Sequence, residues 1–350
     1  MRLTLLIPEL VWPEPDDAET LSGLNCPNLC TLLARGHLSH NRHGQATFDA
    51  AVAECFGAGE HPAYAAVRLL GEGQSPEHHH WACADPVHLR FHQERLILAD
   101  GATLSIETAE ASQLSTSLNE YFADLGEFRV TAPERWYLRL AAEADFQTPP
   151  LSAMAGRRIS QQLPEESRTA WLRKLLNEAQ MLLHSHAVNE ARENKGQASI
   201  NSLWLWGPGK LPDNLPKVFD SVWSDHPLVR GFALCSGAAC HDLPATFSDF
   251  MKQANPDKQQ MISIESLLTT MQYENSAAWR QGMLDLESNW FAPLVKAIRA
   301  GKLSLDLRSS TVYGQLSWQV NRADMWRFWQ GAQPLNVLAQ KLALDSAGTS

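Results

Sequence analysis

The run from Met181 to Pro212, MLLHSHAVNEARENKGQASINSLWLWGPGKLP, constrains the fold of this chain more than any other stretch. A helix running in from about Glu165 carries Leu172, Leu176, Ala179 and Leu183 at helical spacing along one side. Gly196 breaks the backbone. Asn201-Ser-Leu-Trp-Leu-Trp is then short, apolar and aromatic, the composition of a core strand. Gly207-Pro208-Gly209 turns the chain at the strand's carboxyl end. In open α/β sheets, ligands gather beyond the carboxyl ends of strands. His184, His186, Asn189, Arg192 and Asn201 crowd this one corner. They are candidate ligand-binding groups, and they are equally suited to satisfying loop backbone.

At 350 residues, 44% hydrophobic and 19% charged, the chain is long and apolar enough for one large domain or two ordinary ones. The net charge of -10, with no block of Lys or Arg, argues against nucleic acid and against an anionic membrane surface. No apolar run reaches the ~18 residues of a spanning helix. Met1 to Trp12 carries Pro8 and Glu9 and reads as a first buried strand, not as a signal peptide. Six Cys at 26, 30, 55, 83, 235 and 240 form no CxxC pair, so reduced thiols and a cytoplasmic location are expected.

Along the chain, Leu3 to Ile7 reads as a strand and Pro27 to Gly36, Phe48 to Phe56 and His61 to Leu70 as helices. Gly71 to His80 is a break that ends in three His. Next come a strand (Trp81 to Leu89), a hairpin about Asp100-Gly101 (Glu94 to Leu98, Thr103 to Ile106), a helix (Glu107 to Leu125) and strand-like Phe128 to Leu140. This texture suggests a small α+β module. After the organising corner we expect a helix at Leu215 to Trp223 and a buried strand at Leu228 to Cys235. Helices over Ile264 to Met271 and Ser276 to Leu303 follow. A terminal hairpin then pairs Leu303, Leu305 and Leu307 with Leu316, Trp318 and Val320, ahead of a short helix at Met325 to Trp329 and a frayed tail from Asp345.

Several side chains invite a functional reading. On a strand, His88 and Arg90 share a face and Asp85 lies on the other, a set that suits either an anion or a structural network. Arg192 has the fork to hold a phosphate or carboxylate. Gly207 and Gly209 can turn backbone N–H groups toward an anion, although no GK[ST] follows. Trp204 and Trp206 share a face and suit the core.

The spacing His184-x-His186-x-Val188-Asn189-x-x-Arg192-x-x-x-Gly196-x-x-x-x-Asn201-x-x-Trp204-x-Trp206-Gly207-x-Gly209 resembles a segment of the archaeal-type, 2,3-bisphosphoglycerate-independent phosphoglycerate mutases of the alkaline-phosphatase superfamily. Phe146 to Ile159 resembles that family's threonine–proline–proline loop, and Leu98 to Leu140 its inserted domain. The chain also resembles a proteobacterial branch labelled as regulators of pathogenicity factors. The resemblance implies an α/β fold, with a three-layer α/β/α alkaline-phosphatase-like core interrupted by a smaller inserted α+β domain. It places the first part of the core at 1–76, the insert at 77–177 and the second part at 178–350. It further implies two divalent metals, Mn or Zn, activating a Ser that carries the phosphoryl group.

The chain departs from that pattern at the reactive positions. The family's first strand ends in a metal-binding Asp-Gly pair, where this chain has Pro8-Glu9. The Gly-Ser-Asp nucleophile motif has Thr47-Phe48-Asp49 as its counterpart, with Phe in the place of Ser. The proline loop continues Leu151-Ser152 instead of His-Asp, and His226, His241 and Asp242 lack the spacing of the late ligands. The expectation is a mutase-like protein without catalysis or cofactor, binding a phosphorylated or carboxylate small molecule or a protein partner. The alternative is an active mutase or phosphatase with Thr47 as nucleophile and Glu9 and Asp49 as ligands to two Mn or Zn ions.

Overall fold

The computed structural model describes residues 1–41, 46–92, 95–144, 146–156, 158–159 and 170–347. It divides into two compact units, Met1–Gly57 with Leu215–Ser350, and Ala58–Asn214. The first unit opens with β1 (Arg2–Leu6), α1 (Ala18–Leu21), α2 (Pro27–Arg35), β2 (His37–Asn41) and α3 (Phe48–Cys55). The second unit begins with α4 (Tyr64–Gly71), β3 (His80–His92), β4 (Arg95–Asp100), α5 (Gly101–Leu104), α6 (Thr108–Tyr121), β5 (Gly126–Ala132) and β6 (Arg135–Leu140). It continues with α7 (Leu151–Met154), β7 (Arg158–Ile159), α8 (Ala170–His184), α9 (Ala187–Asn194) and β8 (Ser202–Gly209). The chain then returns to the first unit with β9 (Ser221–Trp223), α10 (Pro227–Cys235), β10 (Ala239–His241), α11 (Phe247–Gln253), β11 (Gln259–Ser263) and α12 (Leu268–Gln272). It ends with α13 (Ser276–Leu286), a π-helical turn (Glu287–Phe291), α14 (Ala292–Arg299), β12 (Ser304–Thr311), β13 (Gly314–Val320), a 3-10 turn (Asp324–Trp326) and α15 (Leu335–Ala347).

The first unit is built on a seven-stranded sheet of order β10-β9-β11-β1-β12-β13-β2. β1 lies at its centre, parallel to both β11 and β12. A central parallel strand is covered on both faces, which is why Leu3 to Ile7 reads as one apolar run without alternation. Leu3, Leu5 and Ile7 enter a core shared with Leu29, Trp279 and Leu294. β12 and β13 form the expected terminal hairpin. No helix among the described residues is long and apolar enough to cross a membrane.

Two assignments in this unit are corrected. Leu215 to Trp223 holds no helix; β9 occupies its end, parallel to β11. Leu228 to Cys235 is helix α10 and not a strand, since His226 caps it through its side chain and Pro227 takes the first helical position. α15 reaches Ala347, past the point where the sequence suggests fraying; residues 348–350 lie outside the described residues.

The second unit carries a six-stranded antiparallel sheet in which β3 takes β6 along its first half, β4 along its last and β8 along its middle. The strand in the organising run therefore belongs to this unit and not to the parallel sheet. The unit runs over 58–214, wider than the insert expected at 77–177, because α4 and α8 both pack on β8. The hairpin expected about Asp100-Gly101 is replaced: β3 extends to His92 and pairs with β4, and Gly101–Leu104 is helical. Residue 94, residues 165–169 at the expected start of α8, and residue 157 of the proline loop lie outside the described residues.

Candidate functional site

The polar groups of the organising corner hold the corner itself. His186 caps α9, its Nδ1 accepting from the Val188 N–H at 3.1 Å, while Nε2 meets Ser117 Oγ at 3.1 Å. Asn189, 1% exposed, donates to the carbonyls of Leu183 (2.7 Å) and Ile200 (2.9 Å) and accepts the Ile200 N–H (2.7 Å). Arg192 donates to Glu110 Oε2 (2.6 Å), Ala198 O (2.8 Å) and Leu104 O (2.5 Å). Its fork is thus closed by a carboxylate of the chain. Asn201 clamps the Leu89 backbone, with both bonds at 2.8 Å. His184, at the end of α8, is exposed.

On β3, Asp85 is buried and receives both arms of Arg68, at 2.9 and 2.7 Å. It also accepts from Trp206 Nε1 (2.8 Å) and the Trp136 N–H (3.3 Å). Tyr137 and Glu72 extend this network, and burial raises the Tyr137 phenol well above its ordinary pKa. For Arg68, burial acts to lower the pKa, but Asp85, Cys83 and Tyr137 together outweigh it and the guanidinium sits well above its usual value. The structure does not bring Asp85, His88 and Arg90 together: His88 bonds the Ser199 carbonyl (2.7 Å) and Arg90 is exposed. Gly207 and Gly209 take positive φ of 57° and 151°, and a Cβ at either would lie 2.6 Å from a Cβ of Tyr64 or Ala63. These glycines let β8 close on α4.

The second place to look is the carboxyl edge of the parallel strands in the first unit. Past β1, Glu9 is buried and sits at φ 59°, a left-handed backbone that glycine favours. Its N–H donates to Ser310 O and its carbonyl accepts from Trp279 Nε1, both at 2.9 Å. Past the neighbouring strands β11 and β9 stand Ser263, Glu265, Ser224 and His226. Glu265 accepts from Ser263 Oγ (2.5 Å) and Ser224 Oγ (3.3 Å), and burial raises its pKa. His226 packs edge-on against Phe48 at 4.8 Å. Phe48 and Asp49 are buried in the first turn of α3, while the hydroxyl of Thr47 accepts the Ala50 N–H at 3.1 Å and so caps that helix. His241 stacks on Trp223 (4.2 Å) and Asp242 pairs with Arg230 (2.9 Å).

Sequence reasoning missed Ser224, Ser263 and Glu265, because three- to five-residue strands such as β9 and β11 show too little periodicity to mark the residues just beyond them. A two-metal cage needs several carboxylates and imidazoles converging on common points. Among the described residues no three His, Cys, Asp or Glu side chains are so placed. Residues 42–45, which include His43, lie outside the described residues. Ser263, Glu265 and Ser224 instead lie together at the carboxyl ends of β11 and β9. They form a carboxyl–hydroxyl edge suited to hydrogen bonding.

No family model matches the chain. It is 32% identical over 114 residues to the 2,3-bisphosphoglycerate-independent phosphoglycerate mutase 2 of Methanothermobacter thermautotrophicus, covering 32% of this chain and 28% of that enzyme. It is 33% identical over 103 residues to the corresponding enzyme of Methanothrix thermoacetophila, covering 28% and 26%. The matched segments thus span only about a quarter of the relatives' own length. Over a much larger share, 91% of this chain and 86% of the other, the structure is similar to that of the PH0037 protein from Pyrococcus horikoshii, with a TM-score of 0.53 at 14% identity. The chain accordingly shares the α/β fold of that structure, and its homologues are archaeal-type cofactor-independent phosphoglycerate mutases at low identity.

Proposed function

We propose that this chain is a mutase-like protein that no longer transfers phosphoryl groups and acts in the cytoplasm as a binding or regulatory protein. The observation that carries this reading is the start of α3. Phe48 stands where the resemblance requires a nucleophilic serine, and it is buried against His226. The neighbouring Thr47 hydroxyl is engaged as the helix cap. Glu9 adds support: its left-handed backbone aligns it with the glycine of an Asp-Gly pair, which leaves Pro8 where the carboxylate belongs. The likeness to a proteobacterial branch labelled as regulators favours a regulatory role.

The test is direct. The purified chain, supplied with Mn²⁺ or Zn²⁺, is incubated with 3-phosphoglycerate and followed by phosphorus NMR. The expected result is no 2-phosphoglycerate and no chelator-sensitive metal on elemental analysis. Conversion that Thr47→Ala abolishes in a folded protein, with about two metal ions bound per chain, establishes the active enzyme instead.

A further inference from the structure

Of 12 Trp in the chain, nine are buried, yet Trp326 and Trp329 are 62% and 79% exposed. Phe328, 65% exposed, lies between them and packs edge-on against Trp326 at 5.6 Å. Three large aromatics held in the open within four residues form a patch of the kind that marks an interaction site. Beside it runs β2, at the end of the seven-stranded sheet, with β13 as its one partner among the described residues. Among the described residues no strand pairs its outer edge, which offers main-chain donors and acceptors as a template for another strand. Leu38 of β2 and Trp329 both line a groove of about 420 Å³, floored by Leu33 and Trp318 and closed by Leu335 and Leu338.

The charge around this groove runs against that of the whole molecule. The chain carries -10, but the groove's one charged lining residue is Lys341. Arg35 lies over the Phe328 ring at 5.6 Å, and Arg327 reaches His37 at 2.7 Å. The nearby acid, Asp324, is buried and already bridged by Arg327 at 3.1 Å. An apolar slot, an open strand edge and a cationic rim together specify a partner. We propose that β2 and the Trp326–Trp329 segment form a docking surface for an acidic, extended peptide of a partner protein. The peptide adds as a strand beside β2, inserts an aromatic or branched side chain into the groove and sets its Asp or Glu residues against Arg35 and Lys341. A second copy is the poorer occupant, because two-fold pairing of β2 would bring two cationic rims together. The proposal uses no residue of α3 and stands whether or not catalysis is retained.

The probe is a display library of random nine-residue peptides, selected on the full chain and in parallel on Trp329→Ala and Lys341→Glu. Both positions are exposed, so both variants retain the fold, and circular dichroism checks this. The expected winners are net negative, with aromatic or branched residues at alternating positions. As synthetic peptides they lose at least about tenfold in affinity against either variant. N-methylation at alternate residues abolishes binding, and hydrogen exchange at residues 38–41 slows when the unmodified peptide is bound. No enrichment, basic or proline-rich winners, or affinity indifferent to both variants overturns the proposal. So does a dimer in sedimentation velocity that Trp329→Ala dissociates, which assigns the surface to a second copy. Binding to vesicles containing an anionic lipid, lost in Trp329→Ala, overturns it in favour of a membrane.

Discussion

Asp85 is the most informative residue to remove. Its carboxylate takes two bonds from Arg68, one from the Trp206 indole and one from the Trp136 amide, all inside the second unit. Asp85→Ala leaves a buried guanidinium without its counter-charge, a loss of about 3–5 kcal/mol. It also orphans two N–H donors, at about 1–3 kcal/mol each before relaxation. The total is expected to exceed about 4 kcal/mol, in the range typical of broken buried networks. The double variant Arg68→Met/Asp85→Leu removes both charges together. The Trp206 and Trp136 donors then remain unsatisfied and the Tyr137 hydroxyl loses the Arg68 donor while keeping its own bond to Glu72, so it should lie about 2–4 kcal/mol below the parent, more stable than Asp85→Ala alone. Because two units need not unfold together, hydrogen exchange of the β3 and β8 amides is the right assay, alongside urea titration. A double variant as damaged as Asp85→Ala, or an Asp85→Ala within about 1 kcal/mol of the parent, would refute the reasoning.

Three further outcomes are expected. Gly207→Ala should cost about 2–5 kcal/mol, from its positive φ and a clash with Tyr64, whereas Gly196→Ala, with φ 72° and nothing within 4 Å, should cost only about 1–2 kcal/mol in the same urea titration. Burial raises the Glu265 pKa, so its contribution to stability is full below the ordinary carboxylate pKa and is lost as pH rises through the folded value. Glu265→Gln keeps an acceptor for Ser263 and Ser224, and its urea midpoint should gain on the parent as pH rises above the ordinary carboxylate pKa; a constant difference contradicts this. Burial pushes the Cys26 thiol up to about 12 and Cys55 up to about 11. Both should resist a disulfide reagent at pH 8 until the chain unfolds, and their contribution to stability should fade only above about pH 9, as unfolded thiols ionise first.

Some of this was written plainly in the chain. Leu3 to Ile7 and the Leu305–Val320 hairpin announce themselves because burial on two faces, or alternation, leaves a pattern in neighbouring residues. The Asn201–Gly209 strand was equally visible, but its sheet was not. Pairing with β3 joins residues more than a hundred positions apart, and nothing local records it. At α10 the apolar run misled while the boundary spoke correctly: His226 and Pro227 form a helix start. β2, His-Leu-Ser-His-Asn, is a polar edge strand with no apolar face to betray it. In the candidate site, Phe48 was legible as a departure from the motif that the resemblance implies. Glu265 was not, since its significance comes from the two hydroxyls folded against it.

The place of β1 has a consequence for synthesis. It is made before both its neighbours in the sheet, β11 and β12, which lie more than 250 residues downstream. By then the strands of the second unit, contiguous in the chain, have all left the ribosome. A sticky segment must therefore wait through more than 250 further residues of synthesis with neither edge covered, which makes a nascent fragment ending near residue 250 a natural client for a holding chaperone.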